Sequence, residues 1–204
     1  MGISPYSVII AYSPTLSNFR LLFSVFHLHL LVATSHREIS FPPRWWVTES
    51  RAIVKYLAKK YKGQGTDLLG NTLAEEALVE QWCQVEGQSF FSPASTILYQ
   101  TVLFPMRGGA TDAAVVEANI GKLNKVLDIY EERLSKSKYL AGDFFSLGDL
   151  QHLPWTHYLV TACRKGDLVG DLVSSRKHVN AWWEDISSRP AWKKVSEKMP
   201  KWGE

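Results

Sequence analysis

The sequence has few of the residues that cross-link, anchor or modify a secreted protein. It contains two cysteines, Cys83 and Cys163, with no Cys-x-x-Cys pair, and it has no Asn-x-Ser/Thr glycosylation site. Isolated thiols favour a reducing compartment and exclude a zinc site built on paired cysteines. The longest apolar run, residues 21–33, is shorter than the roughly 20 residues that a membrane-spanning helix needs. We therefore expect a cytoplasmic protein with no membrane partner.

A strong charge of either sign is also missing. The 23 Lys and Arg residues nearly balance the 20 Asp and Glu residues, and the formal net charge is +3. Because proteins that bind nucleic acid carry a clustered basic surface, this balance argues against a nucleic-acid partner. His27, His29 and His36 are close in sequence, but without a fourth ligand or nearby carboxylates they indicate ordinary packing. No metal is expected.

The composition of the chain changes near residue 48. Residues 1–47 carry three basic residues and one acidic residue, whereas residues 48–204 carry 20 basic and 19 acidic residues. Apolar residues recur at three and four only in the second segment, which is the helical period. The sequence therefore predicts a small α/β segment followed by an all-helical one.

Several helices can be placed in the second segment. Thr48 predicts the N-cap of a helix over residues 49–61, which Gly63 ends. A long helix from Thr72 should bend at Pro93. Its inward residues are expected to be Leu78, Trp82 and Val85. A further helix begins at Asp112 and carries the most regular apolar stripe of the chain, formed by Val116, Ile120, Leu123, Leu127, Tyr130 and Leu134.

Ser146 and Asp149 have the spacing of a capping box. The Ser146 hydroxyl can accept a hydrogen bond from the Asp149 N–H group while the Asp149 carboxylate returns one to Ser146. We expect the loss of Asp149 to cost about 1 kcal/mol, and more if the cap is buried, because an N–H group loses its acceptor. The helix that follows should contain a kink at Pro154, and two short helices should close the chain.

Five segments of the sequence form a recognisable combination. They are Glu49-Ser50-Arg51-Ala52-Ile53, Tyr139-Leu140-Ala141-Gly142, Ser146-Leu147-Gly148-Asp149-Leu150-Gln151-His152-Leu153-Pro154, Trp182-Trp183-Glu184-Asp185-Ile186 and Arg189-Pro190-Ala191-Trp192. The combination resembles the cytosolic glutathione S-transferases, most closely the plant phi class. The resemblance covers about three quarters of the chain.

This resemblance implies a fold, a partner and an activity. It implies an incomplete thioredoxin-like domain over residues 1–64 that binds glutathione, and an all-helical domain over residues 65–204 that supplies a hydrophobic substrate wall. Two subunits pair as a homodimer in this family. Glutathione is a co-substrate, so no bound cofactor is implied. By resemblance, Glu49 and Ser50 bind the γ-glutamyl end of glutathione; the alternative is that they only cap a helix.

The chemistry also requires a group that favours the glutathione thiolate, because a thiol with a pKa near 8.5 is mostly protonated at pH 7. In the phi class, a serine after the first strand does this. Residues 12–20 echo that segment and offer Ser13 or Ser17 as the catalytic serine, with the choice left open. Cysteine-type transferases place a thiol there, where this chain has none.

The first segment departs from the family pattern. A complete thioredoxin-like unit ahead of the Glu49 helix needs roughly 60 residues, and only 48 precede it. The family's Gln-Ile/Val-Pro turn has no counterpart, since Phe41-Pro42-Pro43-Arg44 lacks the preceding residues.

Two functions are therefore possible. One is conjugation of glutathione to electrophilic apolar compounds, as in detoxification and stress responses, with an acceptor wall that includes Phe90, Leu98, Phe104 and Met106. The alternative is a non-catalytic relative that binds apolar ligands or partner proteins.

Overall fold

All of the regular secondary structure in the described residues is helical. The computed structural model describes residues 49–163, 169 and 171–200. The chain divides into two units, residues 1–65 and 66–204. The predicted α/β segment, including any thioredoxin-like sheet, lies outside the described residues, whereas the prediction of an all-helical second part is confirmed.

Eight α-helices are described. In chain order they are α1 (Ser50–Lys60), α2 (Leu73–Val85), α3 (Phe91–Leu98), α4 (Ala113–Leu134), α5 (Leu147–Leu150), α6 (Leu153–Thr161), α7 (Lys177–Ser188) and α8 (Pro190–Ser196). Two π-helical turns, Glu86–Phe90 and Tyr99–Leu103, continue α2 and α3, and a 3₁₀ turn follows at Pro105–Arg107.

Helix α2 and the segment after it form the long bent helix that the sequence predicts. Thr72 and Glu75 form a capping box, in which Glu75 N donates to Thr72 Oγ1 at 3.2 Å. The hydrogen-bond pattern changes to i→i+5 just before Pro93, where the Phe91 N–H group donates to Glu86 O. Of the residues predicted to face inward, Trp82 is buried and Val85 is half-buried, but the prediction for Leu78 is wrong, since it is 36% exposed. Val79 and Cys83 are buried instead.

Helix α4 confirms its predicted stripe. Asp112 caps it by accepting hydrogen bonds from Ala114 N at 3.0 Å and Val115 N at 3.1 Å. Ile120 is half-buried, and the other five stripe residues are buried. Helix α4 packs against both α3 and α7.

The Asp149 carboxylate joins three parts of the helical unit. Its Oδ1 accepts hydrogen bonds from Leu140 N at 3.0 Å and Trp182 Nε1 at 2.9 Å. Its Oδ2 accepts from the N–H and hydroxyl groups of Ser146, both at 2.9 Å. Asp149 is fully buried, and burial raises the pKa of its carboxyl although all four hydrogen bonds act to lower it. The predicted capping box is present.

A second buried chain of hydrogen bonds crosses the same core. His152 Nδ1 lies 2.6 Å from the Gly148 carbonyl oxygen, which can only accept, so this nitrogen carries the proton. His152 Nε2 therefore accepts from the Tyr130 hydroxyl at 2.8 Å. Residues 151 and 152 separate α5 from α6, so Pro154 lies in the first turn of a new helix and does not kink a continuous one.

Helix α7 is tied to α4 through its first turn. The Glu131 carboxylate accepts hydrogen bonds from His178 N and Val179 N, both at 2.9 Å to Oε2, and lies 2.8 Å from the His178 ring. Burial tends to raise the pKa of Glu131, but the two backbone N–H groups and His178 outweigh it and lower the pKa. The Arg176 guanidinium binds Asp128 at 2.6 Å. These contacts fix α7 on the outside of α4.

Candidate functional site

The first candidate site is the start of α1. This helix begins at Ser50 with Glu49 as its N-cap residue, one residue later than predicted. Its first intrahelical hydrogen bond runs from Ile53 N to Glu49 O at 3.1 Å. The N–H groups of residues 50–52 therefore point out of the helix end. Glu49 is exposed and Ser50 is half-buried, so both side chains can be reached by a ligand.

Glu49 has an unusual backbone conformation. Its φ of 70° makes it the only non-glycine residue with a positive φ among the residues described. Such a conformation costs about 1–3 kcal/mol and occurs most often at ligand clamps and active sites. Within the described part of the chain, its side chain makes no capping hydrogen bond to α1. No local sequence pattern predicts this strain, since Glu carries no preference for positive φ.

The start of α1 has the chemistry of an anion site. Backbone N–H groups and the positive end of the helix dipole attract a carboxylate, and the Ser50 hydroxyl can add a hydrogen bond. Glu49 supplies the opposite charge beside it, which suits an ammonium group. Lys59 and Lys60 occupy the last turn, where positive charge complements the dipole.

The candidate catalytic serines, Ser13 and Ser17, lie outside the described residues, as do His27, His29 and His36. Their predicted roles stay predictions. Across residues 49–163, 169 and 171–200, no cluster of three His, Cys, Asp or Glu side chains is arranged to hold a metal ion.

Two of the four residues expected in the acceptor wall are core residues. Phe90 is 1% exposed and Leu98 is 2% exposed. The Phe90 ring lies 4.8 Å from the His152 ring and 6.1 Å from the Tyr130 ring, measured between centroids. Phe104 stacks on Tyr99 at 5.6 Å. Of the four, only Met106 is largely exposed, at 65%.

Both cysteines are buried and free of disulfides. Burial raises the pKa of Cys163 to about 11, although a hydrogen bond with Thr101 acts in the other direction. A thiol with this pKa stays protonated at neutral pH, so Cys163 is a poor nucleophile. Both cysteines pack in the core as small hydrophobic side chains.

Comparison with known proteins extends these observations. The family model for the glutathione S-transferase C-terminal domain matches residues 89–190. Glutathione S-transferase F10 of Arabidopsis thaliana is 51% identical over 152 residues, which are 74% of this chain and 69% of that protein. The crystal structure of glutathione transferase F7 from Populus trichocarpa is 46% identical, with a TM-score of 0.72, over 78% of this chain and 73% of that one. A glutathione S-transferase I from maize, solved with an atrazine glutathione conjugate, is 42% identical with a TM-score of 0.67, over 75% of this chain and 68% of that one.

The chain therefore belongs to the glutathione S-transferase family. Its F-type relatives are plant phi-class members, which confirms the class that the sequence motifs predict. Among the helices described, none has both the length and the apolar character needed to cross a bilayer.

Proposed function

We propose that this chain conjugates glutathione to electrophilic apolar compounds. The observation that carries the proposal is the start of α1, where Ser50 opens the helix and Glu49 is held in a strained conformation. Similarity to transferases over three quarters of the chain supports the same activity. No described residue favours the non-catalytic alternative.

The proposed roles follow from the charges of glutathione. Its γ-glutamyl carboxylate would accept hydrogen bonds from the Ser50 hydroxyl and the N–H groups at the start of α1. The neighbouring ammonium group would pair with Glu49. Ser13 or Ser17 would donate a hydrogen bond to the sulfur and favour its thiolate form. We assign residues 1–64 to the glutathione domain and residues 65–204 to the helical domain.

The reaction class follows from the thiolate. The sulfur attacks an electron-poor carbon and forms a carbon–sulfur bond, and a leaving group such as chloride departs with the electron pair. The thiol proton is released to solvent. The maize relative solved with an atrazine glutathione conjugate makes a halogenated aromatic ring a suitable acceptor to test.

The exposed face of α2 supports a homodimer. Leu73 is 86% exposed, and Ala74, Ala77 and Leu78 are exposed on the same helix. These four residues form an apolar strip at i, i+1, i+4 and i+5 that water would otherwise cover. Family dimers use the helix after Glu49 and the long bent helix, so we propose a cytoplasmic C2 dimer of about 46 kDa, twice the 23.1 kDa chain.

Glutathione binding and turnover test the function together. Titration calorimetry should show binding to the full chain, and Ser50→Ala should weaken it by roughly 1–3 kcal/mol through loss of a charge-assisted hydrogen bond. Ser135→Ala, which changes an exposed serine of the helical unit, is the matched control and should leave binding unchanged. Chlorodinitrobenzene should be conjugated, and loss of turnover in Ser13→Ala or Ser17→Ala would identify the catalytic serine.

Two outcomes would contradict the proposed function. Absence of glutathione binding by the folded wild-type chain would remove the transferase function. Binding without turnover, even at high enzyme concentration, would favour a non-catalytic relative, because misplacement of the sulfur by an ångström can remove about two orders of magnitude in rate.

A further inference from the structure

The helical unit contains a cavity that the proposed transferase chemistry does not use. It lies between the C-terminal part of α6, the segment that precedes α7, and α7 itself. Its volume is about 280 Å³, just below the range of about 300–1,000 Å³ for sites that bind small molecules. The described residues that shape it include Leu159, Val160, Leu172, Asn180, Trp183 and Glu184. A molecule of one or two rings fits this volume.

The wall of the cavity has an apolar part and a polar part. Aliphatic side chains from α6 and from the segment before α7 form the apolar part, and half-buried Trp183 adds an indole ring. Asn180 Nδ2 donates to Glu184 Oε1 at 2.9 Å, which holds the carboxylate beside the opening. The atoms that this pair then presents to a ligand, the Asn180 amide oxygen and the second Glu184 oxygen, are both acceptors.

Glu184 gives the described wall an exposed carboxylate. No lysine or arginine occurs among the described residues that line the cavity. Arg176 precedes α7 immediately, but its guanidinium binds Asp128 and the Leu172 carbonyl oxygen and is thereby held at α4. The polar atoms of this wall are therefore suited to a ligand that brings its own positive charge and hydrogen-bond donors.

We propose that this cavity binds a small aromatic ammonium compound, a class that is distinct from glutathione and from an electrophilic acceptor. The ring of the ligand packs between Trp183 and the aliphatic wall, where apolar burial supplies most of the affinity. Its ammonium group donates to Glu184 and to the Asn180 amide oxygen, and the charge-assisted hydrogen bond sets the selectivity. Neither Glu49 nor Ser50 lines the cavity.

A matched pair of probes tests both parts of this proposal. Naphthylethylammonium carries the ring and the charge, whereas naphthylethanol has the same ring and a neutral hydroxyl group. We expect the ammonium compound to bind the full-length protein with a dissociation constant of about 0.1–1 mM and the alcohol to bind about tenfold more weakly. In the spectrum of ¹⁵N-labelled protein, the indole N–H signal of Trp183, assigned by its loss in Trp183→Phe, should shift during the titration.

Substitution of a residue that lines the cavity tests whether the probe binds there. Glu184→Gln keeps the shape of an exposed side chain and should reduce the preference for the ammonium compound over the alcohol to about twofold or less. Glu197→Gln, an exposed carboxylate on the segment after α8 that does not line the cavity, is the control and should leave the preference intact. Saturating S-hexylglutathione should not displace the probe.

Four results would overturn the proposal. They are no detectable binding at millimolar probe, equal binding of both probes to the wild-type protein, an unchanged preference in Glu184→Gln, and displacement by S-hexylglutathione, which would place the probe in the acceptor site. Since these results depend on residues of α6 and α7, they are independent of whether glutathione is turned over.

Discussion

Replacing Asp149 with alanine is expected to be one of the most destabilising single changes in the helical unit. The carboxylate receives hydrogen bonds from Leu140 N, Trp182 Nε1 and both donors of Ser146, at 2.9–3.0 Å. All of these donors belong to buried residues. Alanine would therefore leave donors from three separate parts of the chain without an acceptor.

The loss in free energy of unfolding follows from the number of buried donors that no longer have an acceptor. Each buried N–H group without a partner costs about 1–3 kcal/mol, and three such groups lose their acceptor here. The Ser146 hydroxyl can rotate, and a water molecule that enters the space left by the carboxylate can satisfy one or two of the others. We therefore expect a loss of about 4 kcal/mol, against about 1 kcal/mol for an ordinary exposed cap.

Urea unfolding followed by far-ultraviolet circular dichroism measures this loss. Asp143→Ala is the matched control, because Asp143 is exposed and accepts a single backbone hydrogen bond, from Lys138 N at 3.0 Å. The control should lose no more than about 1 kcal/mol. A loss below about 1.5 kcal/mol for Asp149→Ala would show that the four hydrogen bonds do not act as a buried network.

Three further predictions concern the helical unit, acid stability and assembly. A fragment of residues 66–204 should melt cooperatively with strong helical circular dichroism, and gradual loss of signal would contradict it. Glu131→Gln should destabilise the protein at pH 7, and the difference should shrink as the pH falls below the ordinary glutamate pKa of about 4.3 and then through the lowered pKa of the folded state, because a carboxyl whose pKa is lowered by folding stabilises only while ionised; Glu117→Gln, at an exposed residue of α4, is the control. Leu73→Arg should give a 23 kDa species by light scattering, whereas Ile129→Arg, at another exposed apolar position, on α4, should leave the dimer intact.

The elements with strong local signals were predicted correctly from the sequence. The stripe of α4 repeats over 22 residues, so its buried face is determined by the helical period alone. On α2 the same reasoning chose Leu78 where the structure buries Val79, because the adjacent apolar residues there allow two faces. Asp149 was identified as a cap from its spacing to Ser146. Its bond to Trp182, 33 residues away, has no local pattern and is set by tertiary packing.

The candidate site was predicted only in part. Glu49 and Ser50 were selected by resemblance. The observed start of α1 at Ser50 differs by one residue from the start predicted from the sequence. The acceptor wall is expected to include Phe90, but this large apolar residue lies in the core, where its ring packs against His152 and Tyr130. The catalytic serines stay predictions, since Ser13 and Ser17 lie outside the described residues.

The two π-helical turns are positions where the helical unit can lose one residue without rotating the helix that follows. Each turn closes with an i→i+5 hydrogen bond, as from Phe104 N to Tyr99 O at 2.8 Å, and so holds one residue more than an α-helical turn. Loss of an exposed residue such as Gln88 would convert the first turn to an ordinary α-helical one and leave the buried faces of α2 and α3 aligned. A single deletion within α4 would instead rotate everything beyond it by about 100°. Relatives that differ by one residue in this region are therefore expected to differ at these turns.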